Sequence, residues 1–289
     1  MSKYVIVTDS TTDLPASFAE ELGLMVLPLR FNLNGKEYTN YLDNRELDPK
    51  VFYDAVRGGA QPTTSQINPE DYISVLTPVL KEGKDILILA FSSGLSGTFN
   101  SARIAVDELA SEFKERKILL VDTKSASLGE GLLVTLAARE AKAGKSIEEV
   151  KAYAESLVPR LAHWFTVDDI GHLVRGGRLS KVAGFVAKLA SIKPVLHCNT
   201  EGKLAARHKA IGRKRAIKAL VEEMVKTAKP GKQIVYIGHS DDLEGAEALA
   251  AEVKLHFEIE ELVINMIGPV IGSHAGQGTL ALFFVAENR

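Results

Sequence analysis

The chain has 289 residues, 46% of them hydrophobic, and a net charge of −2 with both signs spread along its length. That length buries a real core and favours two domains over one, and the charge balance lacks the footprint of a phosphate-backbone partner, which sets nucleic acid aside. The lone cysteine, Cys198, excludes an internal disulfide and fits a reducing cytoplasm; no apolar run nears the length that crosses a bilayer, so stable membrane insertion is not expected.

Tyr4–Val7 reads as a first strand, in a start too short in apolar residues for a signal peptide. Asp13–Pro15 offers a cap and an early proline to a short helix carrying Phe18 and Leu22. Met25–Leu29 is a second strand. Residues 31–64 are polar and rich in Asn, Asp and Gly, and predict an irregular insertion with a short helix near Pro49–Val56. Glu70–Lys81 is helical, and the apolar run Asp85–Ala90 is a buried strand. Beyond it Phe99, Ala102, Val106, Leu109 and Phe113 recur at helical spacing. Lys117–Val121 is a further strand. Helices follow near Glu130–Ala143, stopped by Gly144, and Ile147–Leu157, opened by the Ser146/Glu149 capping box. This alternation predicts a mainly parallel sheet with helices on its faces over residues 1–159.

From about residue 160 the texture changes. Pro194–Cys198 and Lys203–Lys209 flank Asn-Thr-Glu-Gly as a hairpin. Helices near Arg213–Ala228 and Leu243–Val253 alternate with strands near Gln233–Gly238, Leu262–Ile267 and Thr279–Val285. The expectation is a second, mixed α/β domain over residues 160–289, packed closely on the first, with a ligand cleft between them. Lys181–Ala190 is apolar around nearly its whole circumference and reads as a central core helix, or as one lining an apolar cavity or a dimer contact.

The chemistry gathers where the Asp85–Ala90 strand ends. Ser92–Thr98 holds two glycines and four hydroxyls in seven residues. A helix opening there presents unpartnered N–H groups and the positive end of its dipole, and glycines let an anion approach. A capped tight turn is the plain alternative; the density of hydroxyls and glycines favours an anion site. Asp9 follows a strand ending on the same sheet edge, outside which ligands of open α/β sheets bind. Gly94–Thr98 misses the G-x-S-x-G elbow by one position, yet the strand–serine–helix layout keeps a serine hydrolase using Ser96 and His274 as the rival reading. The turn lacks a P-loop lysine, and Ala143–Ser146 lies between helices, so neither is a nucleotide loop. Arg175 and Arg178 flank two glycines and suit an anion clamp, though solvated surface charge is the commoner role. His274 lies among Gly272, Gly276 and Gly278, which free the backbone and expose the ring. No histidine or cysteine spacing matches a metal site, and no cofactor is expected.

Taken together, Thr8–Leu14, Thr64–Gln66, Ser92–Ala102, Val121–Gly131, Gly176–Ser180, Lys193–Pro194 and Ile267–Gly278 resemble the DegV family of FakB-like fatty-acid-binding proteins over almost the whole chain. The resemblance implies a two-domain α/β protein with a long-chain fatty acid buried between the domains. It places the acyl carboxylate on Thr64 and Ser96, with Thr63, Ser93 and Gly97 beside them, and sets Arg178 and His274 near the exposed head group. It further implies a separate ATP-dependent fatty-acid kinase that phosphorylates the bound acid for phospholipid synthesis, so that this chain presents substrate and is not itself the enzyme. One departure stands out: where the family often has an arginine before the late basic helix, this chain has Ile211, and Arg213 is the nearest substitute.

Overall fold

The computed structural model describes residues 4–180 and 191–289; the helix expected over Lys181–Ala190 lies outside them. The chain opens with β1 (Tyr4–Asp9), α1 (Ala16–Leu22) and β2 (Met25–Leu27), then β3 (Arg30–Leu33), β4 (Lys36–Thr39), α2 (Pro49–Arg57) and β5 (Thr63–Ser65). Next come α3 (Pro69–Lys81), β6 (Asp85–Ala90), α4 (Thr98–Glu112), β7 (Ile118–Asp122), α5 (Leu128–Lys142) and α6 (Ile147–Leu157). The remainder runs β8 (Leu161–Thr166), α7 (Gly171–Arg175), β9 (Ile192–Cys198), β10 (Leu204–Ile211), α8 (Arg213–Thr227), β11 (Gln233–His239), α9 (Leu243–Lys254), β12 (Ile259–Met266), α10 (Pro269–Ala275) and β13 (Leu280–Val285).

The first sheet is parallel in the order β2-β1-β6-β7. β6 is buried almost end to end, which is why its sequence is an unbroken apolar run. The second sheet is mixed, in the order β10-β9-β8-β13-β11-β12, with only the β11/β12 pair parallel. The expected α/β architecture is therefore present. Helix α5 sits where the two halves meet. Its Gly129 abuts His163 and Phe283 of the mixed sheet, and its Gly131 abuts Thr12 and Leu14 of the first half. A Cβ at Gly129 would lie 2.2 Å from His163 Nε2, so that close approach requires glycine. One apolar core runs from Leu87 and Leu89 through Leu132 and Leu133 to Phe165 and Phe283.

Residues 31–64 correct the expectation of an irregular insertion. β3 and β4 form a hairpin whose turn residues Asn34 and Gly35 both have positive φ, 53° and 83°, as a type I′ turn needs. β5 joins the other side of β3 to complete a small antiparallel sheet. Phe31 and Leu33 are its buried positions, packed in one core with Phe52 and Tyr53 of α2. Two buried positions in β3 and none in β4 or β5 are too few for alternation to register, although Asn34-Gly35 is itself a hairpin signal.

Asp13 does not cap α1, whose N-cap is Pro15. It adopts a left-handed conformation (φ 51°) and turns its carboxyl toward the other half. There it accepts hydrogen bonds from Ser127 Oγ (2.6 Å) and Gly268 N (2.9 Å), while its own carbonyl accepts from Asn265 Nδ2 (2.7 Å). One residue thus joins the end of β1, the start of α5 and the turn into α10. Burial pushes its pKa up to about 7, against the lowering effect of those two bonds. A carboxyl whose folded pKa lies above its unfolded value of about 3.9 stabilises fully below that value and loses the contribution as pH rises through the folded one. Asp13→Asn keeps the shape without the charge. Its denaturation midpoint should therefore gain steadily on that of the wild type between pH 4 and 8; a difference that stays constant across that range contradicts the buried, proton-holding Asp13.

Candidate ligand-binding site

A cavity of about 1020 Å³ of atom-free space, mouth included, opens beside α5 and the mixed sheet. Phe91, Phe165, Leu173, Leu204, Ile271 and Phe283 supply apolar wall, and Thr64, Ser96, Arg178 and His274 bring polar groups to it. Strand register gives its long axis. On the cavity face of β8 and β13, Phe165 pairs with Ala281 and His163 with Phe283. Thr279, one pleat before Ala281, is tied through Oγ1 to the carbonyls of Ala275 and Gly276 at the end of α10, beside His274. Four residues of extended chain, about 13 Å at the usual rise, therefore separate the His274 end from the Phe283–His163 end.

At the first end Thr64 Oγ1 lies 2.8 Å from His274 Nε2. The His274 ring is only half-buried by area, yet it is enclosed, not exposed as its glycine-rich setting suggests: a Cβ on Gly176 would come within 2.3 Å of its Nδ1. Burial, with the nearby Arg178 charge, pushes the His274 pKa down to about 4, so the imidazole is neutral near pH 7. Ser96 Oγ accepts from Thr98 N (3.2 Å) and shares a hydrogen bond with Thr98 Oγ1 (2.9 Å), at the opening of α4. Gln66 fills the space a side chain at Gly97 would take, with Oε1 2.0 Å from the position of a Cβ there, and its Nε2 donates to Ser101 Oγ (2.9 Å). The Thr64–Gln66 segment and the serine-glycine turn are thus locked face to face. Arg178 spans the mouth: Nε donates to Leu95 O (3.1 Å) and Nη1 to Gly176 O (2.6 Å). Partial burial lowers its pKa from the usual guanidinium value. Outside lies a second, polar hollow lined by Thr63, His172 and Arg175, which shares Thr64, Arg178 and His274 with the cavity.

Two of the residues expected beside the carboxylate point elsewhere. Ser93 is exposed on the outer side of its turn, where its N–H donates to Asp122 Oδ1 (3.1 Å) and its hydroxyl accepts from Lys124 Nζ (2.7 Å). Thr63 alternates with Thr64 along β5 and faces the outer hollow. Arg213 is held by Asp242 and, at 3.6 Å, by Asp168. The pairing a serine hydrolase needs is also not formed: His274 Nε2 is engaged by Thr64, Ser96 Oγ by Thr98, and the other imidazole nitrogen rests on Gly176.

Sequence reading missed the buried carboxyl network beneath the turn. Asp9 Oδ2 accepts from Phe91 N (3.0 Å), which fixes the start of the serine-glycine segment to β1. Thr11 Oγ1 lies 2.5 Å from Asp9 Oδ1 and 2.9 Å from Glu130 Oε2. One hydroxyl proton serves one acceptor, so a carboxyl of the pair holds a proton. Burial first, and the charge of Asp9 second, push Glu130 well above the carboxylate range, and burial raises Asp9 as well. The apolar helix pattern of α5 gave no signal for a carboxyl inside it.

Histidine NMR titration checks the mouth. The His274 signal should titrate near pH 4, and Arg178→Ala should move that midpoint upward by removing a repelling charge; a wild-type midpoint above 6 contradicts the enclosed, neutral ring.

The chain matches the model of the DegV family of uncharacterised proteins over residues 3–287. A DegV domain-containing protein of Clostridium perfringens is 44% identical over 290 aligned positions, covering 100% of this chain and 99% of the relative. Among solved structures, a DegV family protein from Thermus thermophilus described as fatty-acid-binding is 35% identical with a TM-score of 0.88, covering 99% of this chain and 100% of its own. A DegV lipid-binding protein from Thermotoga maritima is 30% identical with a TM-score of 0.88, at full coverage of both chains. With a family match from end to end and its fold shared across whole chains, the protein belongs to the DegV family.

Proposed function

We propose that this chain binds one long-chain fatty acid in the cavity, alkyl tail along β8 and β13 and carboxylate at Thr64 and Ser96, and presents that carboxylate to a separate ATP-dependent fatty-acid kinase. The observation that carries the binding is the uneven polarity of the cavity: aromatic and aliphatic wall along its length, with Thr64, Ser96, Arg178 and His274 at its mouth. The Thermus thermophilus and Thermotoga maritima relatives, described as fatty-acid- and lipid-binding, support the same ligand class.

The hydrogen-bond logic at the mouth follows from the ligand. A carboxylate only accepts. For Thr64 to donate its hydroxyl proton to the acid, it must accept from His274, so binding selects the tautomer with the proton on Nε2. The low pKa of His274 keeps Nδ1 free of a second proton. Arg178 supplies the nearby positive charge. Burying about fifteen methylenes at roughly 0.8 kcal/mol each contributes on the order of 12 kcal/mol before ordering and association costs, against about 1.5–3 kcal/mol for each hydrogen bond to a charged group. The tail therefore dominates affinity and the head group sets direction.

The kinase partnership rests on the family resemblance and on the outer hollow, where Arg175, Arg178, His172 and His274 border the carboxylate position. A negatively charged acyl phosphate suits that surround. Phospholipid synthesis as the destination and the cytoplasm as the compartment complete the proposal. Among the described residues no helix is long and apolar enough to cross a membrane, and Cys198 is a free thiol whose burial pushes its pKa up to about 11.

Native mass spectrometry of gently purified protein should show a bound fatty acid. Thr64→Ala combined with Ser96→Ala should weaken palmitate or oleate binding roughly a hundredfold or more. Lipid-free protein that ignores both added acids defeats the binding proposal, and stoichiometric fluorophosphonate labelling of Ser96 favours a hydrolase. The kinase step is tested by adding a fatty-acid kinase and ATP to the loaded protein: acyl phosphate should form, and less of it with Arg178→Ala.

A further inference from the structure

The cavity does not run straight. Its wall descends from Thr279 through Ala281 and Phe283 of β13, with Phe165 and His163 beside them on β8. At the level of Phe165 it goes no further sideways: among the described residues Leu196, the β9 partner of Phe165, is fully buried and is no part of the wall. One pleat deeper the wall does extend sideways. Cys198 lies two residues beyond Leu196, beside His163, and pairs with Leu204 of β10; both Cys198 and Leu204 border the cavity. The lining therefore turns from along the strands to across them, toward the hairpin of β9 and β10.

That hairpin is held in place. Ser92 Oγ donates to Gly202 O (2.8 Å), which fixes the hairpin tip to the serine-glycine turn, and Phe91 and Leu95 of that turn also line the cavity. Cys198 Sγ lies 3.5 Å from Lys124 O, and Cys198 O accepts from Arg289 Nε (3.1 Å).

Chain length decides what such a shape accepts. Carbon–carbon bonds of about 1.5 Å at tetrahedral angles advance an extended chain about 1.3 Å per carbon. The stretch of about 13 Å from the mouth to Phe283 takes about ten carbons. Strands about 4.8 Å apart put Leu204 about 10 Å to the side of His163, room for about eight carbons more. An acid of about sixteen to eighteen carbons occupies both stretches only by bending near its middle. A saturated chain bends by rotating single bonds away from the extended form. A cis double bond is bent already, and a trans double bond holds its four carbons extended. A ligand already shaped for its site loses less freedom on binding.

Resting on the fatty-acid reading above, we propose that Cys198 and Leu204 are specificity-determining residues, forming a side arm that takes the acyl chain beyond about its tenth carbon, and that the preferred ligand is a long chain bent near its middle by a cis double bond.

Competition binding of decanoate, oleate and elaidate, the trans isomer of oleate, to the full chain tests this. Oleate should bind about tenfold more tightly than elaidate. Leu204→Trp fills the arm and leaves the mouth alone, so it should lower the affinity for oleate about tenfold relative to decanoate. Elaidate bound as tightly as oleate overturns the inference while the fatty-acid reading stands. An unchanged oleate-to-decanoate ratio in a folded Leu204→Trp also overturns it. Should that variant not fold, the wild-type oleate-to-elaidate ratio decides alone. Failure of all three acids to bind counts against the fatty-acid reading instead.

Discussion

In the proposed function the site depends on one constraint: an acceptor-only carboxylate can enter an apolar cavity only where donors are already waiting. The Thr64–His274 hydrogen bond meets it. An exposed histidine would be partly protonated near neutral pH and would leave the hydroxyl of Thr64 in competition with water. Enclosure removes both problems by keeping His274 neutral and its ring fixed on Gly176. In the proposed complex the pair works as a single donor aimed at the mouth, with Arg178 providing charge nearby.

Much of the remaining structure keeps that mouth in place. The serine-glycine turn is held from below by the Asp9–Phe91 bond and from the side by Gln66 against Gly97. Asp13 fixes the start of α5 to the turn that opens α10, the helix carrying His274. Helix α5 then serves as a common wall, with small residues on the faces where the two halves approach. These contacts join segments far apart in the chain, so the polar end of the cavity is a property of the assembled fold and of no single motif.

The alternation of strands and helices was legible because β6 and the amphipathic helices carry strong periodicity. The first-half insertion was not, because β3, β4 and β5 are too short for a period of two to register, and only Asn34-Gly35 marked the hairpin. Thr64, Ser96, Gly97, Arg178 and His274 were singled out from sequence, and the fold gathers them at one mouth. Ser93 and Thr63 shared the same segments but face away, since neighbouring residues of a strand or tight turn point to different sides. Arg213 is engaged by Asp168 and Asp242, acidic partners that were invisible to a linear reading. His163 and Glu130 gave no local signal at all, because what distinguishes them is who surrounds them after folding.

The most direct measurement is anomalous diffraction from crystals grown with an ω-bromo derivative of palmitate. The account predicts bromine density inside the cavity, remote from the Thr64–His274 mouth, and carboxylate density within hydrogen-bonding distance of Thr64 Oγ1. Bromine at the Thr64–His274 mouth, or an alkyl chain lying wholly outside the cavity, would contradict it.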